Sequence, residues 1–342
     1  MSVSGEKVDR YDISVNKFSL LSPLGDNATV SIDILHETLS GASPWFNSSG
    51  VNNTPVATMS GASIAETRDE KAASVSLYKG LNTHSFGFVS SQENDYSAQA
   101  YNYDFARDFN QKNTTLSTGL SWSNDRIFPN QSLPLHQNIA DGIDTAKKRS
   151  QSAYIGISQN INIRTIAKFG VSFTTLSGYL SDPYKLYDRR PDSRSQTVVS
   201  TGLRYFSSEQ QTAYHLDYRY YQDDWELTSD TFSFKAYINL INNWQIAPGL
   251  RYYSQRGASF YSAYQPAGGI PAGVNYSEDY RLSYYGSISY QLDIYKQFSD
   301  LRLKMSLERY QSDIEYSQSN GLYQSPGLVN FTMFSIGFDY YF

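Results

Sequence analysis

The amino-acid sequence predicts an all-β fold, a transmembrane antiparallel up-and-down β-barrel. Three features predict it: apolar and polar residues alternate over long segments, short turns alternate with long loops, and the last segment carries a row of aromatic side chains that ends at Phe342. Alternate side chains of a strand point to opposite faces of a sheet, so each such segment has one apolar and one polar face. A barrel in a bilayer needs this arrangement, with the apolar face toward lipid.

The composition excludes several other classes of protein. The chain has 342 residues, of which 40% are hydrophobic and 18% charged, and its mean hydropathy is −0.50. No segment approaches the roughly 20 consecutive apolar residues of a membrane-spanning helix. Because cysteine is absent, disulfides, thiolate metal sites and a thiol nucleophile are excluded. The 30 Tyr and 18 Phe residues are far too many for an intrinsically disordered chain.

The alternation is clearest near the C-terminus, where even positions such as Leu282, Ile288 and Leu292 are apolar and odd positions such as Ser287 and Asp293 are polar. A soluble antiparallel sandwich also alternates in this way. The segments here are longer than the usual strand of about 5–6 residues, which favours the barrel. The 15 predicted strands are 8–22, 27–40, 71–81, 83–93, 96–108, 113–126, 150–160, 162–178, 195–207, 211–223, 227–241, 244–256, 278–297, 300–315 and 329–342.

The connections alternate in length. Short turns are predicted at 25–27, 81–83, 110–113, 207–210 and 241–243. Long polar loops are predicted at 41–70, 127–150, 181–194, 258–277 and 317–328. Short turns on one rim and long loops on the other are typical of bacterial outer-membrane barrels.

The number of strands is unusual, because bacterial single-chain barrels normally have an even number. Either a first strand lies upstream of residue 1, which gives about 16 strands, or the segment before Gly25 lies outside the wall, which gives 14. Met1 is not followed by the apolar segment of a signal peptide. We therefore expect residues 1–342 to form a single barrel domain whose first strand is missing, with an N-terminus that is truncated or processed.

The C-terminal segment predicts how the barrel is inserted. Phe338, Tyr340 and Phe342 share one face of the last predicted strand. A final strand that ends in an aromatic residue resembles the signal that the barrel-insertion machinery of Gram-negative bacteria reads. We therefore expect these residues to form an insertion signal.

The inward face of the predicted barrel carries more basic than acidic residues in the second half of the chain. Such a face would concentrate anions along one wall of a pore. The alternative is that these side chains pair with one another and fill a closed interior. The predicted lumen-lining residues are Arg204, Asp217, Arg219, Lys235, Arg251, Arg281, Arg302, Lys304 and Glu308.

Catalytic chemistry finds little support in the sequence. His215 and Asp217 would point to the same face, where such a pair could orient a nucleophile or a water molecule. No serine motif completes the set, so a hydrogen-bonded pair in the lumen is the favoured interpretation. We expect no enzymatic activity, no cofactor and no metal.

One long loop is bracketed by a near-repeat, Ser40–Ser43 and Ser60–Ser63. Small residues at both ends of a loop favour tight turns or close backbone contact. We expect either a loop that folds into the mouth of the barrel or an accidental similarity.

Seven segments at the edges of the predicted loops carry a resemblance to a known family. They are Ser40–Pro44, Met59–Ser63, Ser177–Lys185, Arg190–Arg194, Asp217–Trp225, Leu250–Gln255 and Asp279–Ser283. Together they resemble a family of Gram-negative outer-membrane β-barrel proteins of unassigned function. The similarity covers nearly the whole chain, and it implies a signal peptide and one further strand upstream. The resemblance also implies genes near those of a small lipoprotein, a thioredoxin-like protein and a flavin-transferring enzyme, and hence a link to redox chemistry of the envelope.

The predicted function is porin-like passage of small hydrophilic, preferentially anionic solutes through the outer membrane of a Gram-negative bacterium. The alternative is a scaffold or sleeve around a small envelope lipoprotein in a redox or export system. The expected partners are outer-membrane lipid, the insertion machinery and this lipoprotein, and no nucleic acid.

Overall fold

A computed structural model describes residues 11–41, 44–49, 55–59, 66–128, 145–183, 185, 188–265, 269–319, 321 and 324–342. Its main element is a 15-stranded sheet, and the order of the strands in this sheet is their order along the chain. Every pairing is antiparallel. The all-β, up-and-down fold and the 15 visible strands predicted from the alternation are therefore confirmed.

The strands are long enough to cross a bilayer, which takes about 9–11 tilted residues. The wall strands are β1 (Tyr11–Pro23), β2 (Ala28–Gly41), β5 (Glu66–Lys79), β6 (Asn82–Glu93), β7 (Tyr96–Phe109), β8 (Thr114–Ile127), β9 (Ala146–Asn162), β10 (Thr165–Gly178), β11 (Ser193–Ser207), β12 (Thr212–Asp223), β13 (Thr228–Asn239), β14 (Trp244–Arg256), β15 (Tyr285–Gln297), β16 (Leu301–Asp313) and β17 (Phe331–Tyr340).

Two departures from the predicted strands matter for the site. β15 begins at Tyr285 rather than at residue 278, because a short 3-10 helix, Tyr280–Leu282, precedes it. A separate hairpin, β3 (Pro44–Ser49) and β4 (Pro55–Met59), occupies part of the loop between β2 and β5. Of the near-repeat, for which we expect either a loop that folds into the mouth of the barrel or an accidental similarity, Ser40 and Gly41 are described, and the other residues lie outside the described ranges.

The two rims of the sheet differ as predicted. The turn rim consists of the short connections, such as 24–27, 80–81 and 240–243, and it is the rim at which β17 ends. Gly25 and Gly80 adopt φ of 65° and 62° in these turns, a region that glycine enters without strain. The loop rim carries the long connections, including 179–192, 257–284 and 314–330. In the described part of the chain, no helix has the length and apolar character needed to cross a membrane.

The two faces of the wall are chemically opposite. On β13, Phe232 and Phe234 are 45% and 44% exposed on the outward face. Ser233 and Lys235 lie on the inward face, where Lys235 contacts a carboxylate two strands away. The same division holds on β16, where Leu307 is exposed outward. An apolar outer band with a polar inner face is the pattern of a membrane barrel.

The sheet has two edges, β1 and β17. Within the described residues, no hydrogen-bonded ladder joins them. Every residue of β17 is exposed, as are most residues of β1. Both edge strands run from the loop rim to the turn rim, because an odd number of strands lies between them in this antiparallel sheet.

Candidate functional site

A cavity of about 420 Å³ opens on the inward face of β11–β16. This volume lies within the range of about 300–1,000 Å³ that is typical of small-molecule sites. The strands bring together residues that are up to 104 positions apart in the sequence, because each contributes one to three inward residues at a similar height. The charged and titratable residues that line the cavity are Arg204, His215, Asp217, Lys235, Arg251 and Glu308.

Lys235 reaches across a neighbouring strand. Its Nζ lies 2.6 Å from Oδ2 of Asp293 and 3.1 Å from Oε1 of Gln291, both on β15. The residue between them on β14 is Gly249, which pairs with Lys235 on one side and Gln291 on the other. Because Gly249 has no side chain, the lysine stem can lie over it. Asp293, which is 1% exposed, also accepts a hydrogen bond from Ser306.

Arg204 and Asp217 form a second pair. Arg204 Nη2 lies 2.6 Å from Oδ1 of Asp217. The guanidinium also donates to the carbonyl oxygen of Leu216 at 3.1 Å. The carboxylate is thus held by an arginine rather than by His215, whose ring packs against Tyr237 with centroids 4.7 Å apart. The arrangement is a lumen ion pair beside a histidine and lacks the His–Asp contact that orients a catalytic base.

Arg251 and Glu308 differ from the other cavity residues. Among the described residues, neither side chain has a hydrogen-bond or ion-pair partner. Arg251 is exposed to the lumen and Glu308 is half-buried. The cavity therefore contains two satisfied ion pairs and two opposite charges that remain available to a solute.

Three further predicted residues lie on the inward face outside this cavity. The guanidinium of Arg219 stacks over the Tyr221 ring at 5.6 Å. Closer to the turn rim, Arg302 and Lys304 lie over the Tyr295 ring at 4.5 and 5.7 Å. None of these cations is paired with a carboxylate in the part of the chain that the structure describes.

The placement of Arg281 on the inward face of a wall strand is wrong. Arg281 lies in the 3-10 helix that precedes β15, where the side chain of Asp279 caps the helix by accepting from the Arg281 backbone N–H at 3.0 Å. This local hydrogen bond competes with strand pairing. The side chain instead joins a group at the loop rim that we call the loop cluster. It consists of Asp182, Asp188, Arg190, Ser277, Asp279 and Arg281.

The loop cluster joins two long loops through Arg190. Its guanidinium lies 2.8 Å from Asp188 and 2.7 Å from Asp279, and both carboxylate side chains are fully buried. Arg281 reaches Asp182 at 3.2 Å. Burial alone would raise the pKa of Asp279, but the hydrogen bonds and charges of Arg281 and Arg190 hold this pKa below its ordinary value.

A small apolar core supports the loop cluster. Trp225 and Leu282 are 4% and 3% exposed and pack with Tyr221, Leu227 and Ala258. The Trp225 indole N–H donates to the carbonyl oxygen of Ser193 at 2.9 Å. The loop rim between β10 and β15 is therefore a packed structure.

The β3–β4 hairpin contacts the packed loops of the loop rim, although it lies near the other end of the sheet in strand order. The backbone N–H of Asn47 donates to Oε2 of Glu278, whose other oxygen accepts from the Tyr276 hydroxyl at 2.5 Å. Burial raises the pKa of Glu278, and these two hydrogen bonds partly oppose that effect. Because the hairpin follows β2 whereas Glu278 lies between β14 and β15, the sheet must curve to bring them together.

The predicted insertion signal lies at the turn rim. Phe338 and Tyr340 are on the outward face of β17 and are 73% and 64% exposed. Phe342 follows the end of the strand and is 86% exposed. Whether the insertion machinery reads these residues remains a prediction. As for metals, no group of three His, Cys, Asp or Glu residues in the described ranges is arranged to bind one.

The apolar outer band, the charged inner face and the unequal rims define a protein of the outer-membrane-type β-barrel class. The family described as "Protein of unknown function (DUF3570)" matches residues 3–342, and the chain belongs to this family. The resemblance seen in the sequence is thereby confirmed. No curated protein matches the chain.

Solved structures similar to the chain include two bacterial receptors and BamA. The siderophore receptor PirA from Acinetobacter baumannii is 10% identical with a TM-score of 0.49, over 90% of this chain and 51% of the receptor. The ferric enterobactin receptor PfeA from Pseudomonas aeruginosa is 11% identical with a TM-score of 0.49, over 89% and 52%. BamA from Haemophilus ducreyi is 12% identical with a TM-score of 0.44, over 87% and 62%. The chain spans about half the length of the two receptors, and similarity at this level carries no functional argument.

Proposed function

We propose that the protein is a non-enzymatic outer-membrane β-barrel through which small hydrophilic, preferentially anionic solutes pass. The observation that carries the proposal is the unequal charge of the inward face of β10–β16. Cations on this wall outnumber carboxylates, and several have no carboxylate partner among the described residues. The cations are Lys168, Arg194, Arg204, Arg219, Lys235, Arg251, Arg302 and Lys304, and the carboxylates are Asp217, Asp223, Asp293 and Glu308.

The opposite part of the wall, β1–β8, supports the same proposal by contrast. Its inward charges include Asp33, which is paired with Lys17 at 3.0 Å, and Asp104, which accepts from an asparagine. Arg68 lies among three glutamates near the loop rim. Basic side chains are therefore concentrated on one side of the lumen, where they attract anions.

The outer face supports the proposed location in a membrane. Exposed apolar side chains, among them Leu216, Phe234 and Leu250, cover the wall at mid-height. In water such a surface would aggregate, whereas in a bilayer it is stabilised by lipid contact. Short turns face the periplasm in barrels of this type, so we place the turn rim there.

Planar-bilayer recordings of the full-length protein under a KCl gradient test this function. We expect steady conductance with a reversal potential on the anion-selective side. Combined neutralisation of Lys168, Arg219 and Arg251 to Gln should move the reversal potential toward cation selectivity. Arg107→Gln is the matched control, because this arginine lies on the outward face over the Phe109 ring. An unchanged reversal potential in the triple variant would refute anion selection.

The second candidate function is a sleeve around a small envelope lipoprotein. The contact between Asn47 and Glu278 favours it, since it holds the β3–β4 hairpin against the 257–284 loop at the loop rim, whereas the turn rim has only short connections. A hairpin held there would narrow the lumen at the loop rim. A periplasmic partner would then enter from the turn rim. Silence in planar bilayers together with co-purification of a lipoprotein would support the sleeve over the pore.

A further inference from the structure

We propose that the cavity on β11–β16 is a binding site for a zwitterionic solute, one that carries a carboxylate and an ammonium group. This inference deepens the proposed function, because it names a class of solute for the same lumen. Its basis is the pair of opposite charges, Arg251 and Glu308, that line one cavity and lack partners among the described residues.

The other charges of the cavity are already engaged. Arg204 is held by Asp217 at 2.6 Å, and Lys235 is held by Asp293 at 2.6 Å. A solute that displaced either pair would have to replace a short, charge-assisted hydrogen bond. The available charges are therefore one guanidinium and one carboxylate, and a solute that carries only one charge would leave one of them unused.

The register gives the spacing of these two groups. Arg251 on β14 is aligned through Ser289 with Tyr310 on β16, and Glu308 lies two residues closer to the turn rim. With strands about 4.8 Å apart and a rise of about 3.3 Å per residue, the two Cα atoms are about 12 Å apart. The two side chains form no ion pair with each other among the described residues. A short molecule with a charge at each end could therefore bridge them.

The floor of the cavity is formed in part by Gly249, which the Lys235 stem crosses on its way to Asp293. Gly249 lies between Lys235 and Gln291 at the height of Glu308, and a methyl group added there would only reach van der Waals contact with them, at 3.6 and 3.5 Å. A larger side chain would project into the cavity. The backbone of β14 thus forms a shallow floor beneath the two free charges.

The experiment compares three solutes with four carbon atoms each: 4-aminobutyrate, butyrate and butylammonium. Each is titrated into the detergent-solubilised, folded full-length protein by calorimetry. We expect 4-aminobutyrate to bind at least about tenfold more tightly than either singly charged solute, because one additional charge-assisted hydrogen bond is worth a factor of this size. Glycine and 6-aminohexanoate then report which charge spacing fits best.

Variants locate the site. Arg251→Gln and Glu308→Gln should each reduce the affinity for 4-aminobutyrate to that of a singly charged solute. The doubly substituted Arg251→Glu/Glu308→Arg protein should bind it again in the reversed orientation. Arg309→Gln is the matched control, because Arg309 follows Glu308 on the same strand and faces outward, where it contacts Thr332 at 3.0 Å. If the charge-swapped protein does not fold, the two single variants decide.

The outcomes separate the two proposals. Equal affinity for butyrate and 4-aminobutyrate, with no effect of Glu308→Gln, would overturn the zwitterion site and leave anion passage intact. Tight, variant-sensitive binding in a protein that conducts no ions would overturn passage and support the site as part of a closed barrel.

Discussion

Arg190 is the residue whose loss we expect to be most damaging at the loop rim. It is 11% exposed and bridges Asp188 and Asp279, which are fully buried. Arg190→Gln would leave two buried carboxylates without their shared cation, and removal of one partner from such a network costs about 3–5 kcal/mol. We expect a lower thermal unfolding temperature and faster proteolysis in the loops 179–192 and 257–284.

Arg189→Gln is the control for this change. Among the described residues, the Arg189 side chain donates to two backbone carbonyls at 3.3 Å and to no other group. The backbone bridge of Arg189 to Tyr276 does not depend on the side chain. We expect a shift well below that of Arg190→Gln. Equal effects of the two substitutions would show that the loops tolerate the loss of the buried cation.

The depressed pKa of Asp279 gives a pH prediction. A carboxyl with a lowered pKa in the folded state stabilises the fold above its unfolded pKa, and this contribution is lost as the pH falls toward the folded value. Asp279 should therefore keep stabilising the loop cluster down to about the ordinary Asp pKa of 3.8 and lose this contribution below it. Burial raises the pKa of the neighbouring Asp188, so the contribution of that carboxyl does not follow the same profile. Protease protection of the loops, measured from pH 7 to pH 2, checks this. In Asp279→Asn the loops should already be less protected at pH 7, with a flatter profile below pH 3.8.

Single residues also show where sequence reasoning reaches its limit. Lys235 and Glu308 could be placed on the inward face by alternation alone, because a strand has period two. The same alternation continues through residues 279–283, so it placed Arg281 on the wall. What overrides it is the hydrogen bond from the Arg281 backbone to the Asp279 side chain. A cap of this kind depends on local geometry that hydrophobic alternation does not encode.

At the scale of elements, the β3–β4 hairpin provides a test of how the loop rim is held. Its backbone contact with Glu278 is the main described link to the 257–284 loop. Glu278→Ala removes the acceptor, so we expect the hairpin to become protease-sensitive and, in a conducting protein, the open-channel current to rise. Glu209→Ala, an exposed residue of the opposite rim, should change neither. A protected hairpin in Glu278→Ala would show that other contacts hold it.

The strands were predictable from sequence and the loop structure was not. Each wall strand is defined by the alternation of apolar and polar residues. This pattern can be recognised in the strand alone, without knowledge of the strands beside it. The loop cluster depends on residues such as Asp188 and Asp279, which are 91 positions apart and meet only after four intervening strands have formed. Arg190 and Asp279 did stand out, but only within segments that resemble the family.

At the scale of the whole molecule, the apolar outward band predicts that a charge introduced at two adjacent residues of one strand will cost different amounts of stability. Phe234 faces outward at mid-height and Ser233 faces the lumen. Phe234→Arg should destabilise the barrel in vesicles by about 2–4 kcal/mol, as charges on the lipid face near the bilayer midplane do. Ser233→Arg places the same side chain in the polar interior and should cost much less. Urea unfolding from phospholipid vesicles measures both, and equal costs would contradict the assignment of the faces.

The unpaired edges determine where the molecule opens first. The amides of β1 and β17 that face away from β2 and β16 have no ladder partner among the described residues, whereas those of a strand such as β9 are bonded on both sides. Both edge strands run from the loop rim to the turn rim. A strand that filled the seam between β1 and β17 and paired antiparallel with both would therefore run from the turn rim to the loop rim. Until the seam is filled, hydrogen exchange should spread from these two edges around the wall and reach β9 last.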